Sequence, residues 1–468
     1  MTTKTIQQKE MKILEDSISH IEENLKKTEV NDPKLKEILN ILEKFIKKKE
    51  LICYGGLAIN NILPYQDQFY DFTKEIPDYD VFSKNALEDA KELADLFFKK
   101  GFEEVEAKSG VHSGTYKVFV NFIPIADITH VDKNMFKKFK HDSIKIDNIY
   151  YSSPNFLKMA AHLELSRPEG DVSRWNKVYK RLQLLNKNYP MDLHGCGKKS
   201  LINMFLGENK SKNKDVQELI YYTVRDTLIN RNVVFFGGFA MRLFLREYDD
   251  FEIKEFKKIS DFDVISPNAE SIATILKERL EHNKVKNVQI KEEKPVGELL
   301  NTSYEVLVDN DIVARIFLPT GCHNYNKIKY KSKEIKVATV DTMLNYYLAF
   351  MYSTMTKQEQ YKILCMSEFL TNIVKKNRSN NEGMLKRFSL NCIGTQKSLA
   401  LIRKERSEIY DKLKNDKNSK MYQKYFLKYY PSKNVKKTKK SKKVNKTKTL
   451  KKKKNEPKGL VERLTSYM

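Results

Sequence analysis

The sequence predicts an α/β chain that contains one domain twice, followed by a disordered basic tail. Residues 51–56 and 233–238 are short apolar runs that each end in a glycine pair, and an Asp-x-Asp motif follows each run, at residues 78–80 and 261–263. The spacing is nearly equal, with 23 residues from the first glycine to the motif in one copy and 24 in the other. The repeat has the size of a domain, which is too long for a solenoid, and we interpret it as a tandem duplication.

Helical and strand periodicity divide the chain further. Apolar residues recur at helical spacing within residues 35–46, and the second copy has paired strands across residues 303–318. The predicted segments are an N-terminal helical segment (1–34), a first domain (35–190), a connector (191–214), a second domain (215–375), a C-terminal helical segment (376–430) and a lysine-rich tail (431–468).

The net charge of +25 indicates a polyanionic partner, with nucleic acid as the first candidate. Residues 431–458 hold 14 lysines and one glutamate, about half of the excess. A solvated extension that only maintains solubility is the alternative for this tail. The first ten residues lack the apolar centre of a signal peptide, and the sequence has no run of about 18 apolar residues. Five scattered cysteines without a CxxC motif suit a reducing compartment, so we expect a soluble intracellular protein without a membrane partner.

Three aspartates carry the chemistry that the first copy implies. Asp78 and Asp80 alternate along a strand and therefore point to the same face. Asp127 is the lone acid of an otherwise apolar strand, where burial without a partner or an ion would be costly. Three such carboxylates are typical of a site for two Mg²⁺ or Mn²⁺ ions about 3.5–4 Å apart. In that prediction Asp78 and Asp80 hold both ions, and Asp127 holds the one that activates a hydroxyl.

The glycine pair and a basic helix complete the predicted site. Gly55 and Gly56 let the backbone approach a triphosphate, and the helix that follows them offers free N–H groups. Arg174, Lys177 and Arg181 recur at i, i+3 and i+7 and share one helical face, which makes them candidates for binding triphosphate or RNA phosphates. A solvated basic face is the alternative for each of the three.

The second copy differs at the third carboxylate. Residues 304–308 align with residues 116–120 at an offset of 188, and the same offset places Arg315 where the first copy has Asp127. An arginine does not ligate a metal but pairs with aspartates instead. We therefore predict that the second copy keeps the fold with a neutralised site and that chemistry belongs to the first copy.

These motifs resemble the nucleotidyltransferase superfamily, whose pattern is a glycine pair, Asp-x-Asp and a third aspartate. More narrowly, residues 54–59, 77–83 and 126–128 are similar to the poly(A) polymerase catalytic subunits of large DNA viruses, including giant viruses, poxviruses and asfarviruses. Residues 166–182 are similar to the helix that follows the catalytic core in that family. The resemblance covers about 35–190 strongly and 215–375 more weakly. One departure is Leu57, which stands where many members of the superfamily have a phosphate-binding serine.

The resemblance implies template-independent addition of AMP from ATP to the 3′ end of viral mRNA, with two nucleotidyltransferase domains of the polymerase-β type. It also implies a homodimer, located in the host cytoplasm at the viral factory and packaged in the virion. Two alternatives stay open, namely a nucleotidyltransferase with another nucleotide or a small acceptor, and a non-catalytic RNA-binding scaffold. Residues 195–200 are interpreted as linker, and the aromatic residues within 422–430 are expected to pack against the second domain, with RNA stacking as the alternative.

Overall fold

The structure, a computed structural model, describes residues 6–30, 32–73, 76–191, 193, 196, 214–248, 261–377 and 381–431. The chain divides into two units, Met1–Pro431 and Ser432–Met468, and every element below belongs to the first. Residues 432–468 of the predicted basic tail and most of the predicted connector, including residues 195 and 197–200, lie outside the described residues. Among the helices of the described ranges, none has the length and apolar character needed to span a membrane.

Fourteen α-helices and sixteen strands form the described part of the chain. The helices are α1 (Ile6–Val30), α2 (Pro33–Lys49), α3 (Gly55–Ile62), α4 (Ala86–Lys99), α5 (Lys133–Asp142), α6 (Pro154–Leu165), α7 (Trp175–Asn188), α8 (Lys214–Asn230), α9 (Gly237–Tyr248), α10 (Ala269–His282), α11 (Val340–Phe350), α12 (Lys357–Lys376), α13 (Leu399–Leu413) and α14 (Lys420–Phe426). The strands are β1 (Ile52–Tyr54), β2 (Tyr79–Ser83), β3 (Val105–Ser109), β4 (Thr115–Val120), β5 (Ile123–His130), β6 (Ile144–Ile146), β7 (Ile149–Tyr151), β8 (Val234–Phe236), β9 (Phe262–Ile265), β10 (Val288–Glu293), β11 (Ser303–Val308), β12 (Asp311–Phe317), β13 (His323–Tyr330), β14 (Lys333–Ala338), β15 (Cys392–Ile393) and β16 (Lys428–Tyr429).

The strands form two mixed sheets whose order repeats. The first sheet runs β16-β3-β4-β5-β2-β1-β7-β6, and the second runs β10-β11-β12-β9-β8-β14-β13-β15. Without β16 and β15, which are added at opposite edges, the two orders correspond strand for strand. In both sheets a short strand leads through a glycine pair into a helix. The predicted α/β class with a duplicated domain is confirmed.

Helix α2 shows how local signals fix an element that supports the first sheet. Pro33 opens the helix, where the missing N–H costs nothing, and the Asp32 carboxylate accepts the Lys34 N–H at 2.8 Å. The apolar positions of this helix recur at helical spacing, so they form one stripe that faces the sheet. The buried residues of the stripe are Leu35, Ile38, Leu42, Phe45 and Ile46.

One apolar core continues from the first half of the chain (residues 35–190) into the second half (residues 215–375). Tyr352, which follows α11, packs edge-on against Phe139 and Phe156 of the first half, with ring centroids 5.1 and 5.9 Å away. Helices α6 and α11 meet in this core, where the Asn345 amide donates to the Met159 carbonyl at 3.2 Å. The opposite face of the first sheet has its own core under α2 and α4. The two halves therefore share buried surface and stabilise each other.

The C-terminal segment returns to the first sheet. Strand β16 pairs with β3, the Tyr429 hydroxyl donates to Asp95 at 2.6 Å, and Lys91 donates to Gln423 at 2.5 Å. The prediction that residues 422–430 pack against the second domain is therefore wrong. Aromatic content indicates that a segment packs, but the free edge of β3, with its unpaired N–H and C=O groups, decides where.

Four of the five cysteines form disulfides, which the sequence did not lead us to expect. Cys196 pairs with Cys365 and Cys322 with Cys392, while Cys53 is free and buried. The partners are 169 and 70 residues apart in sequence, yet their Cα atoms lie 5.3 Å apart in each pair. The fold brings them together, and sequence spacing therefore carried no sign of the pairing.

Candidate active site

Strand register brings two of the three predicted carboxylates together, and the third precedes one of the same strands. Asp80 on β2 lies directly opposite Asp127 on β5, because these two strands pair in parallel. Asp78 precedes β2 and is exposed, whereas Asp80 is half-buried. Between them Tyr79 is 6% exposed and faces the core, as the alternation of a strand predicts.

The carboxylates repel one another strongly enough to disturb ionisation. Burial, followed by repulsion from Asp127 and Asp78, raises the pKa of Asp80 to about 7. Lys117, on the neighbouring strand β4, lies opposite Asp127, and its Nζ is 2.5 Å from Asp127 Oδ2. Lys117 partly offsets the rise at Asp80. The site is thus an anionic cluster with one lysine as a partial counter-charge.

The glycine pair lies against this cluster. Strand β1 pairs with β2 so that Tyr54 lies opposite Asp80, and Gly55 follows at once with a φ of 71°. A Cβ at Gly55 would lie 2.7 Å from Asp80 Oδ2, so both the backbone conformation and the space require glycine. Helix α3 therefore begins beside the carboxylates, with its free N–H groups at that end.

The predicted basic residues separate into two groups. Arg181 reaches the glycine pair, since a Cβ on Gly56 would lie 2.9 Å from its Nη1. Arg174 directly precedes α7 and pairs with Glu164 at 3.1 Å. It also lowers the pKa of Asp80, which indicates that it is near the carboxylates. Lys177 is exposed and acts on Glu164 only through its charge.

The second copy has the same register with the charges exchanged. Arg315 lies opposite Asp263, as Asp127 lies opposite Asp80, and Glu305 lies opposite Arg315, as Lys117 lies opposite Asp127. The Lys–Asp pair of one copy is thus a Glu–Arg pair in the other. The offset of 188 residues predicted the position of Arg315 correctly.

Arg315 pairs with the carboxylates of the second cluster. Its Nη1 lies 2.5 Å from Asp261 Oδ2 and 3.4 Å from Asp263 Oδ1, and its Nε lies 3.2 Å from Glu305 Oε1. The fully buried Tyr347 lies near Asp263 and Gly237, at the turn that corresponds to Gly55. In the second copy the Arg315 guanidinium therefore lies among the carboxylates, and the Tyr347 phenol lies near the glycine turn.

Sequence reasoning missed three residues of the first site, namely Lys117, Tyr70 and Asn60. Lys117 was detectable, because the alignment of the two copies that identified Arg315 also makes Lys117 equivalent to Glu305, a residue of opposite charge. Tyr70 lies in the loop between α3 and β2, where its hydroxyl contacts the position of a Gly56 Cβ. Asn60 is a polar residue buried in α3. Nothing periodic in the sequence marks either of these two.

Asp80→Asn is expected to stabilise the protein in the absence of divalent metal. The substitution removes a charge that burial and two neighbouring carboxylates disfavour. Thermal unfolding in EDTA at pH 8 should show a higher Tm, by about 2–4 °C for each kcal/mol gained. Asp263→Asn is the matched comparison and should give a smaller gain, because pairing with Arg315 partly offsets the rise that burial and Asp261 cause in the pKa of that carboxyl. An unchanged or lower Tm for Asp80→Asn would contradict the description of the first cluster.

Part of the first copy matches a known protein family. Residues 40–171 match the family model of the poly(A) polymerase catalytic subunit. A protein of African swine fever virus (isolate Pig/Kenya/KEN-50/1950), described as "Putative poly(A) polymerase catalytic subunit", is 34% identical over 171 residues. A protein of Acanthamoeba polyphaga mimivirus with the same description is 30% identical over 175 residues.

These sequence matches are partial. The first covers 35% of this chain and 36% of its relative, and the second covers 36% of this chain and 30% of its relative. The fold match is more extensive. The crystal structure of the Megavirus polyadenylate synthase aligns with a TM-score of 0.75 and 22% identity, covering 92% of this chain and 86% of that chain. The chain therefore has the fold of that synthase over nearly its whole length, and its residues 40–171, which hold the three aspartates, match the poly(A) polymerase catalytic subunit family.

Proposed function

We propose that this chain is a template-independent poly(A) polymerase that adds AMP from ATP to the 3′ end of RNA. The observation that carries the proposal is the convergence of Asp78, Asp80 and Asp127 beside Gly55, within the segment that matches the poly(A) polymerase catalytic subunit family. In this reaction the RNA 3′ oxygen bonds to the α-phosphorus of ATP. The bond from that phosphorus to the bridging oxygen of the β-phosphate breaks, pyrophosphate leaves, and the hydroxyl proton passes to solvent.

The donor set fits hard divalent cations. Three carboxylates lie together, and their repulsion contributes to the raised pKa of Asp80, so bound cations would relieve it. Asp78 and Asp80 would hold two Mg²⁺ or Mn²⁺ ions, and Asp127 one of them. Bound there, the ions would lower the pKa of the 3′ hydroxyl and neutralise the charge that develops on pyrophosphate. Lys117 would release Asp127 in exchange, since it now pairs with the same carboxylate.

The chain's own groups would orient the substrates. The free N–H groups at the start of α3 would face the triphosphate, and Arg174 and Arg181 would add positive charge beside the acidic cluster. The net charge of +25 would retain RNA electrostatically. The homodimer and the cytoplasmic location that the resemblance implies stay predictions.

The test is extension of an RNA primer with each of the four NTPs supplied singly, with Mg²⁺ or Mn²⁺. The proposal predicts extension with ATP and little with the others. Equal or better extension with another nucleotide would show a different nucleotidyltransferase. An absence of both extension and metal-dependent ATP turnover would favour the RNA-binding scaffold and contradict the proposal.

A further inference from the structure

We propose that Tyr70 and Arg181 form a phosphate clamp over the glycine pair and bind the triphosphate of the incoming nucleotide. The proposal rests on the proposed function and deepens it. In this chain the residue after the glycine pair is Leu57, which is 2% exposed and has no group to offer a phosphate. The clamp would supply, from a loop and a distant helix, the hydroxyl that is missing from that position.

The clamp is defined by contacts at one point of the backbone. A Cβ built on Gly56 would contact the Tyr70 hydroxyl and would lie 2.9 and 3.0 Å from the two terminal nitrogens of Arg181. The same hydroxyl accepts a hydrogen bond from Arg181 Nη2 at 2.9 Å. A phenol and a guanidinium thus lie directly on the second glycine, one residue from the turn that contacts Asp80.

Asn60 fixes the loop that carries Tyr70. Its side chain is fully buried, and its Oδ1 accepts the backbone N–H groups of Phe69 and Tyr70 at 2.8 and 2.9 Å. Asn60 lies one turn after Gly56 on the same helix, so it holds the loop in register with the glycine pair. Two backbone hydrogen bonds to one buried amide oxygen give the loop a defined conformation beside the site.

Helix α7 is tied to the same loop and holds Arg181 in place. Lys187 donates to Asp67 Oδ1 at 2.6 Å and Asn188 donates to Asp67 Oδ2 at 2.9 Å, which joins the end of α7 to the start of the loop. The guanidinium carbon of Arg181 lies 4.8 Å from the ring centroid of Phe69. The loop and α7 therefore both meet α3 at Gly56.

The charge of Arg181 points to an anionic ligand. Within the described ranges no carboxylate forms a salt bridge with this half-buried guanidinium, whose close partners are a phenol and aromatic rings. A guanidinium binds phosphate oxygens with two parallel hydrogen bonds, and a phenol donates a third. A nucleoside triphosphate that places its α-phosphorus near the acidic cluster would extend its other phosphates toward Gly56, so we assign the clamp to the triphosphate rather than to RNA.

The test compares Tyr70→Phe, Arg181→Lys and the control Lys180→Gln, which changes an exposed residue of the same helix. Equilibrium binding of ATP, AMP and an RNA primer is measured for each variant. Tyr70→Phe keeps the ring and is expected to weaken ATP binding about tenfold, the loss of one charge-assisted hydrogen bond. Arg181→Lys keeps the charge but loses the planar guanidinium that binds phosphate with two hydrogen bonds. It should reduce the preference for ATP over AMP by at least about tenfold. RNA affinity should stay within about twofold.

Each other outcome overturns the clamp. A loss of RNA affinity with unchanged ATP binding would assign these groups to RNA phosphates, and unchanged binding of both would make them structural. Failure of the proposed function is a separate result. If the wild-type chain adds no nucleotide to RNA but Tyr70→Phe still weakens ATP binding, the clamp stands and the polymerase does not.

Discussion

Asp80→Asn and Asp127→Asn are each expected to reduce AMP incorporation by about a thousandfold or more. Both carboxylates belong to the same cluster, and an amide neither carries the charge nor neutralises the cations that the reaction needs. Loss of a preorganised electrostatic group at a reacting centre costs about 10²–10³ in kcat, and loss of a metal ligand is at least as severe.

Single-turnover extension of an RNA primer with saturating ATP measures this effect. Unfolding does not explain a loss in Asp80→Asn, because that substitution is expected to raise the Tm in the absence of metal. Extension that stays within about tenfold of the wild-type rate in both variants would contradict the assignment of the reaction to this cluster.

Asp341→Ala is expected to destabilise the chain by about 3–5 kcal/mol, because it leaves the buried Arg387 guanidinium without its anion. Asp341 is fully buried in α11, and it accepts hydrogen bonds from Arg387 Nε at 2.7 Å and from His162 Nδ1 at 2.8 Å. His162 belongs to α6 of the first half, so this network joins the two halves through their shared core.

Equilibrium unfolding in urea measures the loss, with Asp311→Ala, an exposed aspartate of β12, as the matched control. The control should change the free energy of unfolding by less than about 0.5 kcal/mol. A loss below about 1 kcal/mol for Asp341→Ala would show that the network contributes little to the fold.

The same carboxylate gives a pH dependence of known sign. Burial alone would raise the pKa of Asp341, but the charges and hydrogen bonds of Arg387 and His162 outweigh burial and hold the pKa well below its usual range. A depressed carboxyl pKa stabilises the folded state above the unfolded value of about 3.9, and this contribution is lost as the pH falls below that value. The difference in stability between the wild type and Asp341→Ala should therefore shrink between about pH 4 and pH 2.

The duplicated fold was predictable because its signals are local. A glycine pair after an apolar run, and alternation through the Asp-x-Asp strand, depend only on neighbouring residues. Arg315 was predictable because two copies within one chain share a register, so an offset of 188 residues carried a position from one copy to the other. The three aspartates required no more than this pattern and one neighbouring strand.

The remaining features depend on contacts between distant residues. Tyr70 reaches Gly56 only because Asn60 fixes the intervening loop, and no periodicity encodes that conformation. The return of β16 to β3 and the two disulfides likewise join residues that are far apart in sequence. Such contacts are set by which surfaces remain free after the sheets have formed, and a single sequence does not show this.

We propose that the first cluster is the working site and that Arg315 occupies the second. Mn²⁺ binding to the wild type, Asp80→Asn and Asp263→Asn, measured by electron paramagnetic resonance, tests it most directly. Asp80→Asn should lose Mn²⁺ affinity by at least about tenfold, whereas Asp263→Asn should bind Mn²⁺ like the wild type, since the Asp263 carboxylate already pairs with a guanidinium. Retained binding in Asp80→Asn, or an equal loss in Asp263→Asn, would contradict it.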